Sequence, residues 1–123
     1  MIGSLSQYAS AKATPSATTI LSVTNPLGVM PKYVHIECDT DSAPFTSNGY
    51  VREAALTDSF GYCYTTNGSS GGLTGYVYSP VSDTPTAVNT FRITADVIEV
   101  YKGTGSITSR WETNTEYTIH VYA

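Results

Sequence analysis

The sequence predicts an all-β fold: a single-domain antiparallel β-sandwich, jelly-roll-like, over residues 16–123, with a flexible N-terminal arm over residues 1–15. Three observations predict it. Tyr, with 10 copies, and Thr are plentiful, and both favour strands. No window of about a dozen residues carries a helical period with caps. About eight short runs of strand-like residues are separated by turn signals, the spacing of a sandwich or jelly roll. A chain of 123 residues holds one domain with a single core.

The first strand is expected in "SATTILSVT", Ser16–Thr24. "NPLGVMPKYV" follows. Pro26 and Pro31 cannot donate ladder hydrogen bonds and bias Asn25 and Met30 toward extended backbone, while Gly28 bends freely between them. The stretch contains no hydroxyl nucleophile, carboxylate or histidine, so it reads as a rigid strand connector and not as a catalytic loop. "KYVHIECD", Lys32–Asp39, is the second strand. Val34, Ile36 and Cys38 take one face, and Tyr33, His35, Glu37 and Asp39 the other.

"GYVREAAL", Gly49–Leu56, is the third strand; its "VREAALTD" portion is the sole helix candidate and is too short for more than a turn. "FGYCYTT" (Phe60–Thr66) and "LTGYVYS" (Leu73–Ser79) flank the turn signal "NGSSGG". "VNTFRIT" (Val88–Thr94) and "DVIEVYKG" (Asp96–Gly103) come next. "EYTIHVYA" (Glu116–Ala123) closes the set, with Tyr117, Ile119 and Val121 alternating against Thr118, His120 and Tyr122. The first 15 residues are small, polar and poorly periodic, which is why they are read as an arm ordered only by a neighbour.

Composition narrows the function classes. Charged residues make up 13% of the chain, about half the usual share, so the polar surface is built from Thr, Ser, Asn and Gly. With net charge −4 and only 6 Lys and Arg, a basic patch for duplex nucleic acid is not expected. No apolar run reaches membrane-spanning length, and the N-terminus lacks the basic and apolar regions of a secretory signal. The expected setting is the cytosol or export by another route, such as release within a virus particle. Cys38 and Cys63 are too few for a disulfide scaffold and match no zinc motif; the alternation of their strands predicts buried, reduced thiols.

Two stretches, "TTILSVTNPLGVMPKYVHIE" and "TFRITADVIEVYKGTGSITSRWETNTEYTIHVYA", resemble small all-β bacteriophage virion proteins. The shared features are a strand, an "NPLG…PK" turn and a second apolar strand, then a late "Y-x-G-T" turn, an aromatic "RW" and a final strand ending in an aromatic. The resemblance spans roughly the first and last thirds of the chain and carries no motif for chemistry. It implies a structural or host-contact role among head and tail proteins.

The candidate contact site lies in the hairpin around "NGSSGG". Strands paired symmetrically about Ser70 set Tyr64 opposite Tyr76 and Tyr62 opposite Tyr78, and any register two residues away keeps all four on one face. Four tyrosines with polar tips suit a partly exposed surface. Three readings stand: the edge of the core, a protein interface, and a platform for sugar rings.

Other constellations read as structure. Trp111 fits the core of a small sandwich; Arg110 beside it then points the other way if the segment is extended. Asp39 and Asp41 lack the further oxygens of a calcium loop and read as a solvated turn. His35 and His120 are placed where two strands could meet, but no carboxylate or Cys pattern completes a metal site with them. No G-x-S-x-G elbow appears. Glu99, Glu112 and Glu116 show no glycosidase pairing, and "NGSSGG" lacks the Lys-Ser/Thr of a phosphate loop.

The resulting expectation is a non-enzymatic phage virion structural protein. It would be a capsid decoration or head/tail accessory subunit, forming a homo-oligomer and touching other virion proteins through Tyr62, Tyr64, Tyr76 and Tyr78. No catalytic residue, metal, cofactor, nucleic acid or membrane is expected. The alternative is a receptor- or carbohydrate-binding module of a tail fibre, with a glycan as partner.

Overall fold

The computed structural model describes residues 7–38, 50–67, 72–80, 90–101 and 110–123, with 63–67 and 72–80 described at the level of backbone pairing. Among the described residues nine strands form: β1 (Tyr8–Ala13), β2 (Ile20–Thr24), β3 (Tyr33–Cys38), β4 (Val51–Leu56), β5 (Gly61–Asn67), β6 (Gly72–Pro80), β7 (Thr90–Ile93), β8 (Val97–Tyr101) and β9 (Tyr117–Tyr122). Their hydrogen-bonded order is β1-β9-β3-β4-β5-β6-β7-β8-β2.

The order folds over on itself as a β-sandwich of a five-stranded sheet, β1-β9-β3-β4-β5, and a three-stranded sheet, β7-β8-β2. Strand β6 links them. It pairs with β5 along the hairpin, and its last residues, Ser79 and Pro80, run parallel to Thr90 and Phe91 of β7. Pro80 can end this strand because a terminal position spares the missing donor. The two ends of the order, β1 and β2, lie against each other, which shields edges that would otherwise template aggregation.

Alternation within each strand builds the core. Val34, Ile36, Ala54, Leu56, Ile119 and Val121 of the larger sheet meet Leu21, Phe91, Ile93, Ile98 and Val100 of the smaller, all buried. Trp111 and Tyr117 are fully buried between them, edge to face with ring centres 5.1 Å apart. Trp111 bridges the layers: its Nε1 donates to the Val100 carbonyl (3.1 Å) and its amide to Thr18 (3.0 Å). The core position expected for Trp111 is therefore the observed one. Arg110 places its guanidinium 5.3 Å from the Tyr50 ring centre.

The connector after β2 is held by a residue the sequence did not single out. Asn25 is buried; its Nδ2 donates to the carbonyls of Val29 and Thr94 at 2.9 Å, and its Oδ1 accepts from the Leu27 amide at 2.8 Å. Gly28 adopts φ +75°, a conformation that disfavours any side chain. The connector carries the chain from the smaller sheet to the larger.

The expectation of a flexible arm over residues 1–15 is corrected for Tyr8–Ala13. These residues form β1, paired with β9 from Tyr8↔Tyr122 to Ala13↔Tyr117. Exposed Tyr8, Ser10 and Lys12 alternate with half-buried Ala9, Ala11 and Ala13. Ala and Ser are weak strand formers, so the local signal is faint and the open edge of β9 decides the outcome. Residues 1–6 lie outside the described residues. Ser16–Thr19, read as strand, precede the strand proper, which begins at Ile20.

Candidate functional site

The outward face of the larger sheet gathers the chemistry-bearing side chains. Register arranges them in three cross-strand rows. Tyr8, Tyr122 and Tyr33 form the first, through Tyr8↔Tyr122 and Tyr33↔Tyr122. Ser10, His120, His35, Ala55 and Tyr62 form the second. Lys12, Thr118, Glu37, Glu53 and the position of Tyr64 form the third. A bulge between Val51 and Glu53 restores this phase on β4, so that Glu53 joins the outer face while Ala54 and Leu56 stay in the core.

The rings pack along these rows. Tyr122 lies between Tyr8 and Tyr33, with ring centres 5.0 and 5.7 Å away. His120 stacks between Tyr8 (6.0 Å) and His35 (5.9 Å). Polar atoms lock the imidazoles. The Tyr8 hydroxyl is 2.7 Å from His120 Nδ1, and His120 Nε2 is 3.2 Å from Glu37 Oε1. His35 Nε2 is 2.8 Å from Glu53 Oε2. One donor atom each from His35, Glu37 and His120 lie within 4.8 Å of one another. Burial, then the neighbouring Tyr62, Glu53 and Tyr122, push the Tyr33 hydroxyl above its ordinary value, so it remains a neutral donor and acceptor.

The tyrosine hairpin pairs differently from expectation. Tyr62 stands opposite Val77, Cys63 opposite Tyr76, Tyr64 opposite Gly75 and Gly61 opposite Tyr78. This is one residue away from the symmetric pairing, and an odd shift exchanges faces. The backbone register thus differs from the one on which the four-tyrosine ladder was expected. Tyr62, exposed, joins the histidine row instead. Side chains of Tyr64, Tyr76, Tyr78 and Cys63 lie outside the described residues, as do Asp39 and Asp41. Cys38 is partly buried against the core.

The three carboxylates considered for catalysis are separately engaged. Glu99 meets Arg92 at 3.7 Å and accepts from the Tyr101 hydroxyl at 2.8 Å. Glu112 is buried and accepts from the Asn114 amide, and Glu116 faces Lys12 at 3.9 Å.

Sequence reasoning placed Tyr33, His35 and Glu37 on one face of β3, and His120 and Tyr122 on one face of β9. It missed that these faces adjoin in register, which brings the Glu37 carboxylate to both imidazoles. It also missed Tyr8, assigned to the arm, and Glu53, whose phase depends on the bulge. Comparison with protein-family models, curated proteins and solved structures finds no match.

Proposed function

We propose that the protein is a non-enzymatic structural subunit that assembles through protein–protein contacts, of the kind found as capsid decorations or head/tail accessory subunits of phage virions. The contact surface is the Tyr–His face of the larger sheet, and its first partner is a second copy of this chain. The observation that carries this reading is the continuous ring surface of Tyr8, Tyr122, Tyr33, His120 and His35. Protein interfaces are enriched in aromatic residues at their centres and poor in Lys.

Exposed apolar side chains extend the surface at one end of the same sheet. Tyr8 is 53% exposed, Met30 49%, Phe60 54% and Tyr62 38%. The start of β1, β3 and β5 and the end of β4 and β9 meet at that end. Clustered apolar exposure of this sort marks interaction sites on soluble domains. Symmetric contact between two copies would set each face against its like.

Light scattering over a concentration series tests the reading. A mass at a multiple of the 13.1 kDa chain is expected; a chain that stays monomeric throughout contradicts it. A second reading, a carbohydrate-binding module, draws on the same rings lying beside the carboxylates of Glu37 and Glu53, since sugar recognition pairs stacking with polar hydrogen bonding. A monomer with saturable glycan binding that is lost in Tyr122→Ala favours that reading.

A further inference from the structure

We infer that His35, His120 and Glu37 form a three-ligand site for a divalent transition metal of the zinc type, at the middle of the outer face of the larger sheet. The two imidazoles come from directly paired positions on β3 and β9, and Glu37 is two residues along β3 from His35. Alternation sends both β3 side chains to the same side as His120. The site is independent of what docks on the face.

The donor set and its spacing fit zinc. Two imidazole nitrogens and a carboxylate oxygen suit this ion, whereas calcium and magnesium require more oxygens. Zinc bonds of about 2.0–2.1 Å set tetrahedral donor separations of about 3.3–3.4 Å. His120 Nε2 and Glu37 Oε1 already stand 3.2 Å apart. All three donors lie within 4.8 Å, so the widest gap closes by at most about 1.5 Å, a movement that side-chain torsions on an open sheet face supply. Three protein ligands leave a fourth position for water or for a donor from a docked chain.

The surrounding groups act as orienting partners. Metal-bound imidazoles donate their second N–H to a nearby oxygen. Tyr8 sits at His120 Nδ1, and its hydroxyl can either donate or accept. Without metal it donates to Nδ1 while Nε2–H donates to Glu37. With metal on Nε2 the proton resides on Nδ1 and Tyr8 accepts it. Glu53 holds the His35 ring by its bond to Nε2. The alternative is a plain hydrogen-bonded pair of His–Glu contacts, which satisfies the side chains and binds nothing.

Isothermal titration of the chelator-treated full chain with zinc chloride separates the two. The expected result is saturable binding of one zinc per chain, a raised melting temperature with zinc, and the visible absorption of tetrahedral cobalt when cobalt(II) replaces it. His120→Ala and His35→Ala should lower affinity by more than about 100-fold, and Tyr8→Phe by about 10-fold at unchanged stoichiometry. Glu37→Gln should weaken binding and alter the cobalt spectrum. All four positions face outward, and thermal melts of the metal-free variants verify their folding. Absence of saturable zinc binding and of a melting shift in the parent chain overturns the inference. Unchanged affinity in His120→Ala, or an unchanged affinity and cobalt spectrum in Glu37→Gln, overturns it equally.

Discussion

His35 and His120 stand directly opposite each other on β3 and β9, with ring centres 5.9 Å apart and planes 23° from parallel. This relationship follows from register. Side chains alternate with period two, so a one-residue slip of either strand would send its own imidazole into the core and expose its own apolar pair, Val34 and Ile36 on β3 or Ile119 and Val121 on β9. The burial of those four residues therefore fixes the histidine pair as firmly as any contact between the rings.

The Tyr117 hydroxyl closes a buried hydrogen-bond pair, donating to the Val51 carbonyl at 2.7 Å and accepting from the Glu112 amide at 3.2 Å. Tyr117→Phe leaves both backbone groups unsatisfied in the interior. The expected loss is about 1–3 kcal/mol of unfolding free energy, measured by urea denaturation, with the fold retained.

The same residue makes stability depend on alkaline pH. Burial pushes the Tyr117 hydroxyl well above the ordinary tyrosine value of 10.0. The folded state thus keeps a proton that the unfolded chain releases. Stability is fully present below pH 10 and falls as pH rises through and beyond it, by up to about 1.4 kcal/mol per pH unit. Denaturation midpoints at successive pH values above 10 should decline less steeply in Tyr117→Phe than in the parent; equal slopes would remove Tyr117 from the account.

Asn25 fastens the connector between the sheets. Asn25→Ala removes its bonds to the Val29 and Thr94 carbonyls and frees the Leu27 amide, with an expected cost of about 1–3 kcal/mol. Gly28→Ala forces a Cβ into φ +75° and should cost about 1–2 kcal/mol. No side chain need clash there, because a Cβ on Gly28 meets open space. Thermal melts check both.

Much of the fold was legible because alternation is a local signal. Of the eight strands from Ile20–Thr24 to Tyr117–Tyr122, six fall within the runs read from sequence, while β5 and β6 overrun theirs by one residue at an end (Asn67, Gly72, Pro80), and the inward residues of β3 and β9 follow the expected parity. What could not be read is set by pairing. β1 is a strand because β9 offers an edge, not because its Ala–Ser sequence demands one. The β5–β6 register departs by one residue from the symmetric pairing expected about Ser70. The outer face required three inter-strand registers and a bulge before Tyr8, His120, His35 and Glu53 could be placed together.

Deletion of residues 1–13 tests the reassigned N-terminus. It removes the six-residue strand β1, reopens the edge of β9 and strips Tyr8 from the outer face. The truncated chain should melt at lower temperature than the full chain, whereas deletion of residues 1–6 leaves β1 intact and should leave the melting temperature close to the parent value. An unchanged melting temperature for the longer deletion would return β1 to the status of an arm.

The central claim is that the Tyr–His face of the larger sheet joins copies of the chain, and Tyr8→Ser combined with Tyr122→Ser addresses it most directly. Both side chains lie outside the core and pack on each other at 5.0 Å. Truncation of a central interface tyrosine commonly costs about 2 kcal/mol or more. Light scattering should give an oligomer for the parent and a 13.1 kDa monomer for the double variant, which still melts cooperatively. A double variant that retains the parent's oligomeric mass would contradict the account.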